Sequence, residues 1–166
     1  MSRLVGALRQ GSAADYYRRP ERHTDEYREG NVERTRRRAA TIPPETAAAF
    51  FRDAWHRTSR AFAVSNLDQR IEASGRSLTI GDYLLTRLMS VAAHGLDVAI
   101  TLDRPPWTTR TALEALHPVL VDLLGEVPPI TLTDQDLLEV GTGRRPLTEE
   151  ERDAVGPLAA RLPLLS

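Results

Sequence analysis

The 166-residue chain contains no cysteine and no lysine. Without cysteine there is no disulfide, no thiolate-held zinc or iron–sulfur centre and no cysteine nucleophile. Without lysine, Schiff-base catalysis and the lysine of a phosphate-binding P-loop are excluded as well. No apolar run approaches the ~18 residues of a membrane span. The first 30 residues are too polar for a secretory signal. The 22 basic residues, all arginine, face 23 acidic ones, a net charge of −1. That balance gives no global attraction to nucleic acid or to anionic lipid. These absences point to a cytoplasmic protein with no membrane and no nucleic-acid partner. What is present is ordinary for a globular protein: 41% apolar and 27% charged residues. The length fits one domain, residues 1–166, with enough chain to bury a core.

Pattern and punctuation lay out the elements. Met1–Gln10 reads as a helix with Leu4, Val5 and Leu8 on one face. No cap precedes it, so a first helix truncated at the N-terminus is expected. Gly11–Gly30 is polar and reads as a loop or a weakly held segment. Asn31–Ala40 reads as a short helix capped by Asn31, and its run Arg34, Arg36, Arg37, Arg38 as a solvated face. Pro43-Pro44 opens a helix to about Val64, with Phe50, Phe51, Ala54, Trp55, Thr58 and Phe62 at helical spacing. Ser65–Ser77 is a loop, with at most a short extended piece.

Thr79, three residues before Asp82, marks the start of the longest helix, Ile80 to about Leu102. Thr108 or Thr109 starts the next, closed by Gly125 and expected to kink or split at Pro118. Thr133–Val140 and the segment after Thr148 are short helices, with a break at Gly156-Pro157. No hairpin signal and no alternation of strands with helices is evident. The expected fold is all-α: a helical bundle with long crossovers and a short helical tail over residues 126–166.

The long helix carries the candidate site. At about 100° per residue, Thr79, Tyr83, Thr86, Arg87, Ser90, His94, Asp97 and Thr101 fall in one sector of roughly 100°. The remaining girth is apolar. Either this stripe faces water, or it lines a polar pocket inside the bundle, where metal and ligand sites are built. As a metal ligand His94 needs partners three or four residues away, and those are Ser90 and Asp97. Serine is a poor ligand for a divalent metal. Asp97 suits the task of holding the second imidazole nitrogen. Arg87 is the natural partner for an anion.

Three stretches carry a family resemblance: Asp82–Ala99 (DYLLTRLMSVAAHGLDVA), Leu102–Thr108 (LDRPPWT), and the tail Gly141–Thr148 (GTGRRPLT) with Arg161–Leu165 (RLPLL). The chain resembles the mycothiol-dependent maleylpyruvate isomerase family. The resemblance implies a DinB-like four-helix bundle that binds one divalent metal, usually zinc. It implies three ligands: a His ending the first bundle helix, then a Glu and a His four residues apart on a later helix. The metal would activate a thiol cofactor, mycothiol, for isomerisation or S-transfer, since a Lewis acid favours the reactive thiolate. Carried over, His94 matches the second His and Ser90 stands at the Glu position. The first His is expected at or just before Met1.

Two functions follow as expectations. One is a metal- and mycothiol-dependent isomerase or S-transferase, expected to be metal-deficient or inactive here because two of the three ligand positions are lost. The other is a non-catalytic bundle that binds a small polar or anionic ligand through Tyr83, Arg87, Ser90 and Asp97, or that self-associates. The expected partners are a small-molecule substrate or thiol and, for self-association, a homodimer.

Overall fold

The computed structural model describes residues 9–128 and 132–165, and 66% of these described residues are helical. The described residues form seven α-helices, two 3-10 turns and one two-stranded sheet. The chain falls into two compact units, Arg19–Gln69 and Met1–Arg18 with Arg70–Ser166.

The larger unit holds the core and the candidate site. It comprises α1 (Ala13–Tyr17), β1 (Arg70–Ala73), β2 (Arg76–Thr79), α4 (Ile80–Thr101), α5 (Arg110–Leu124), α6 (Asp134–Gly141), α7 (Glu149–Val155) and a final 3-10 turn (Gly156–Arg161). Helices α1, α4, α5 and α6 pack on one another. Leu78, Met89, Leu96, Leu116, Leu120, Leu124, Leu137 and Leu138 lie fully buried between them. Each such side chain contributes roughly 2 kcal/mol relative to exposure. By length and composition α4 could cross a membrane. Here its line Met89, Ala92, Ala93, Leu96, Ala99 is buried in the core.

Several boundaries follow from caps that were readable. Thr79, Thr109, Thr133 and Thr148 each accept from the backbone N–H three residues on. Gly125 closes α5 in the left-handed region, at φ 84. A Cβ there would also lie 2.8 Å from the Arg161 guanidinium, whose Nη1 donates to the Leu124 carbonyl at 2.6 Å. The positive φ favours glycine, and a side chain there would also displace the Arg161 guanidinium from its carbonyl.

The structure corrects other expectations. The part of the Met1–Gln10 helix that covers residues 1–8 lies outside the described residues. Arg9 and Gln10 are extended, with Gln10 bridged to Ser77. Gly11–Gly30 is not a loop. Ser12 and Asp15 form a capping box that starts α1, and Ala13, Ala14, Tyr16 and Tyr17 are buried. A hairpin is present where none was expected, β1 paired antiparallel with β2. Its two-residue turn, Ser74-Gly75, has both φ angles positive, matching the strand twist. Pro118 does not split α5, which runs unbroken from Arg110 to Leu124.

The smaller unit holds a 3-10 turn (Pro20–His23), α2 (Asp25–Ala39) and α3 (Pro44–Ala63). Helix α2 is capped by Thr24, not Asn31, and begins six residues earlier than expected. It is polar all round, with no buried residue. The apolar stripe of α3 is present but not buried: Phe51 is 61% and Trp55 57% exposed. Its neighbour in the chain, α2, offers no apolar face to receive it.

Arg145, after α6, joins the tail of the larger unit together. Nε donates to Glu139, Nη1 to Glu151 and the Pro146 carbonyl, and Nη2 to Asp136 and Glu151. All five N–H groups have an acceptor. The Arg145 guanidinium pulls the Glu151 carboxyl down to about 2. Burial pushes Asp136 up, but bonds from Thr133 and Arg145 leave it below its ordinary value. A carboxylate whose folded pKa is depressed favours folding at neutral pH. The Glu151 contribution is complete above its unfolded value of about 4.3 and lost as pH falls through about 2. Arg145→Ala is therefore expected to cost about 2 kcal/mol at pH 7, allowing for partial exposure. It should also flatten the loss of stability on acidification below about pH 5. Denaturant midpoints against pH measure both. An unchanged acid slope in the variant would show that this cluster does not control it.

Candidate functional site

The polar stripe of α4 divides into two groups that lie on opposite sides of the question the sequence left open. Its first half is covered by α1; its second half faces solvent.

The covered half begins at the helix start. The Asp82 carboxylate accepts from the Thr79 hydroxyl at 2.6 Å and from the Ala13 N–H at 3.0 Å, which ties the start of α1 to the start of α4. One turn on, the Tyr17 hydroxyl donates to the Thr86 carbonyl at 2.9 Å. Thr86 is fully buried, and its own hydroxyl donates to the Tyr83 carbonyl. The Ser90 hydroxyl donates to the same Thr86 carbonyl at 3.0 Å, so it is turned back onto its own helix. Arg87 donates from Nε to the Thr86 hydroxyl and from Nη2 to the Tyr16 hydroxyl. Its guanidinium lies over the rings of Tyr16 (5.6 Å) and Tyr83 (5.2 Å). No carboxylate among the described residues pairs with it. A half-buried cation held by two rings, with N–H groups to spare, is a ready partner for an anion.

The exposed half holds His94 and Asp97. The His94 side chain is 77% exposed. Its Nδ1 lies 3.1 Å from Asp97 Oδ2. Asp97 is gripped from the far end of the unit. Arg144 Nε donates to Oδ1 at 3.0 Å and Nη2 to Oδ2 at 2.9 Å. These bonds from Arg144, with a smaller one from His94, hold the Asp97 carboxyl below its ordinary value against the opposing effect of burial. Arg144 also forms part of the wall of a cavity of about 420 Å³ with Arg152, Leu147, Leu162 and Pro163.

The structure thus brings Tyr83, Arg87 and Ser90 into one group and His94 with Asp97 into another. Sequence reading missed three participants. Tyr16 and Tyr17 lay in the segment taken as loop, although Ser12 and Asp15 carried a cap signal. Arg144 is 47 positions from Asp97, and no local pattern links them.

The residues present do not fit the zinc ion that the family resemblance implies. Among the described residues no three His, Cys, Asp or Glu side chains are grouped to hold a metal. At the position of the implied Glu, Ser90 offers a neutral hydroxyl already donated to a backbone carbonyl. Asp97 is occupied by Arg144. His117 is bonded to Asp134, at 2.7 Å, and His56 lies edge-on to Trp55 in the other unit. A single imidazole does not supply the three protein ligands typical of zinc.

These features define a mostly helical protein whose central helix carries a polar stripe anchored by a short partner helix. The chain belongs to the mycothiol maleylpyruvate isomerase family: the family's N-terminal domain matches residues 2–99. No curated protein and no solved structure matches it.

The Tyr17 hydroxyl and Thr86 carbonyl are both buried, so Tyr17→Phe leaves a buried acceptor short of one donor. The expected cost is about 1 kcal/mol, a melting temperature lowered by about 2–4 °C. Calorimetry reads this. A variant as stable as the parent would mean that the Tyr17 hydroxyl contributes nothing to holding α1.

Proposed function

We propose that this chain is a family member that works without the zinc centre and uses the α4 stripe to bind a small polar or anionic ligand. The observation that carries this reading is Arg87: a half-buried guanidinium held between two tyrosine rings with no carboxylate partner among the described residues. The Ser90 hydroxyl, turned onto its own helix at the position of the implied Glu, supports the first part of the reading. Mycothiol itself and dicarboxylates such as maleylpyruvate, for which the family is named, fall within the ligand class. A thermal-shift titration with maleate tests the site. At ten times the dissociation constant a ligand adds about 1.4 kcal/mol, a rise of roughly 3–5 °C. The rise should vanish in Arg87→Ala and shrink in Arg87→Lys, which keeps charge but not the planar fork. No shift with maleate or with mycothiol would remove the proposal.

The other reading, a metal- and mycothiol-dependent isomerase or transferase, is supported by the family match. It requires ligands beyond the described residues. Metal analysis separates the two. The protein purified with zinc present and then dialysed is expected to hold well under one zinc per chain. Stoichiometric zinc that His94→Ala releases would establish the metal-dependent reading instead.

A further inference from the structure

We infer that Arg144 is a positioning residue for His94: through Asp97 it fixes the imidazole as the Nδ1–H tautomer and leaves Nε2 as a free hydrogen-bond acceptor. The argument needs no metal and does not depend on a ligand at Arg87.

It starts with the carboxylate. An ionised carboxylate only accepts hydrogen bonds. Arg144 keeps Asp97 ionised by meeting both oxygens at once, at 3.0 and 2.9 Å. This is the fork-on-fork geometry that adds direction as well as strength. With His94 Nδ1 at 3.1 Å from Oδ2, the hydrogen between them must belong to the ring. A neutral imidazole carries one N–H, so its Nε2 has a free lone pair.

Arg144 is itself fixed. Its N–H donates to the Glu139 carbonyl at 2.8 Å and its Nη1 to the carbonyl of buried Thr142 at 2.5 Å. The side chain is 22% exposed, against 49% for Asp97 and 77% for His94. Order therefore passes outward, from a held arginine to a half-exposed carboxylate to an exposed ring. The second imidazole nitrogen points into solvent, where a protic ligand, such as a thiol or hydroxyl, can reach it. Such a ligand donates a hydrogen bond to Nε2 while Nδ1–H stays bonded to Asp97. Arg144 also lies outside the family-matched residues 2–99, so the tail completes a unit that the matched segment begins.

Long-range 15N–1H spectra of the full chain, recorded where the ring is neutral, report the tautomer directly. His94 is expected as Nδ1–H over Nε2–H by on the order of tenfold, the reverse of a free imidazole. Arg144→Gln should return the ring toward the free mixture, and Arg144→Lys, which keeps charge without the fork, should lie between. Asp97→Ala, on the exposed surface, should release the ring completely and serves if the Arg144 variants fold poorly. A parent protein showing the free-imidazole mixture would overturn the inference. So would a folded Arg144→Gln or Asp97→Ala variant with the parent tautomer.

Discussion

Helix α4 has 22 residues and α1 has five. At 1.5 Å per residue they are about 33 Å and 7.5 Å long. That mismatch governs the site. Where α1 lies, the polar stripe is roofed: Tyr17 satisfies the Thr86 carbonyl, and Tyr16 receives Arg87. Beyond α1, among the described residues, the stripe opens to water at His94. The stripe follows one line on the helix, so its two environments are set by the length of the covering helix and not by a change in pattern. This is why neither sequence-based alternative holds along the whole of α4.

Much of the fold was legible because its signals are local. A threonine with an acidic residue three positions later marks a helix start wherever it falls, as at Thr79 and Thr148. Gly125 closes α5 for an equally local reason. The same logic, carried further, finds α1 from Ser12 and Asp15, and Ser74-Gly75 is a turn dipeptide. What hid α1 was its surroundings. Four of its five residues are buried, but polar sequence flanks it on both sides. Its apolar character belongs to packing on α4 and α5, which no window of sequence contains. The stripe on α3 failed in the opposite way. Its period is correct, but period alone does not provide a partner surface, and Phe51 and Trp55 remain exposed.

The candidate site divides along the same boundary. Tyr83, Arg87, Ser90, His94 and Asp97 share a face because of helical spacing, which the sequence specifies. Which of them are joined depends on residues far along the chain: Tyr16 is 71 positions from Arg87, and Arg144 is 47 from Asp97. Arg144 and Arg145 are adjacent and identical in type, yet they do different work. Arg145 has every N–H committed to the carboxylates of α6 and α7 and to the Pro146 carbonyl. It closes the tail on itself. Arg144 reaches out of the tail to α4.

A carboxylate behind a histidine has a physical effect whether or not a metal is bound. In a metal site, the carboxylate behind a histidine orients the ring and fixes its tautomer. Ser90 stands at the position of the implied Glu, and among the described residues no three side chains are grouped for a metal, yet the Asp97 carboxylate is met at both oxygens by a guanidinium from another element. The bidentate Arg144–Asp97 pair ties the tail to α4, and its reach continues to His94. Its effect is on the ring: one nitrogen is occupied and the other is left bare. An imidazole so held offers its second nitrogen as a hydrogen-bond acceptor, and Arg87, on the roofed half of the stripe, lies on the same face of the helix. One helix thus presents a held imidazole and a held guanidinium along a single line, each fixed by residues far away in the chain.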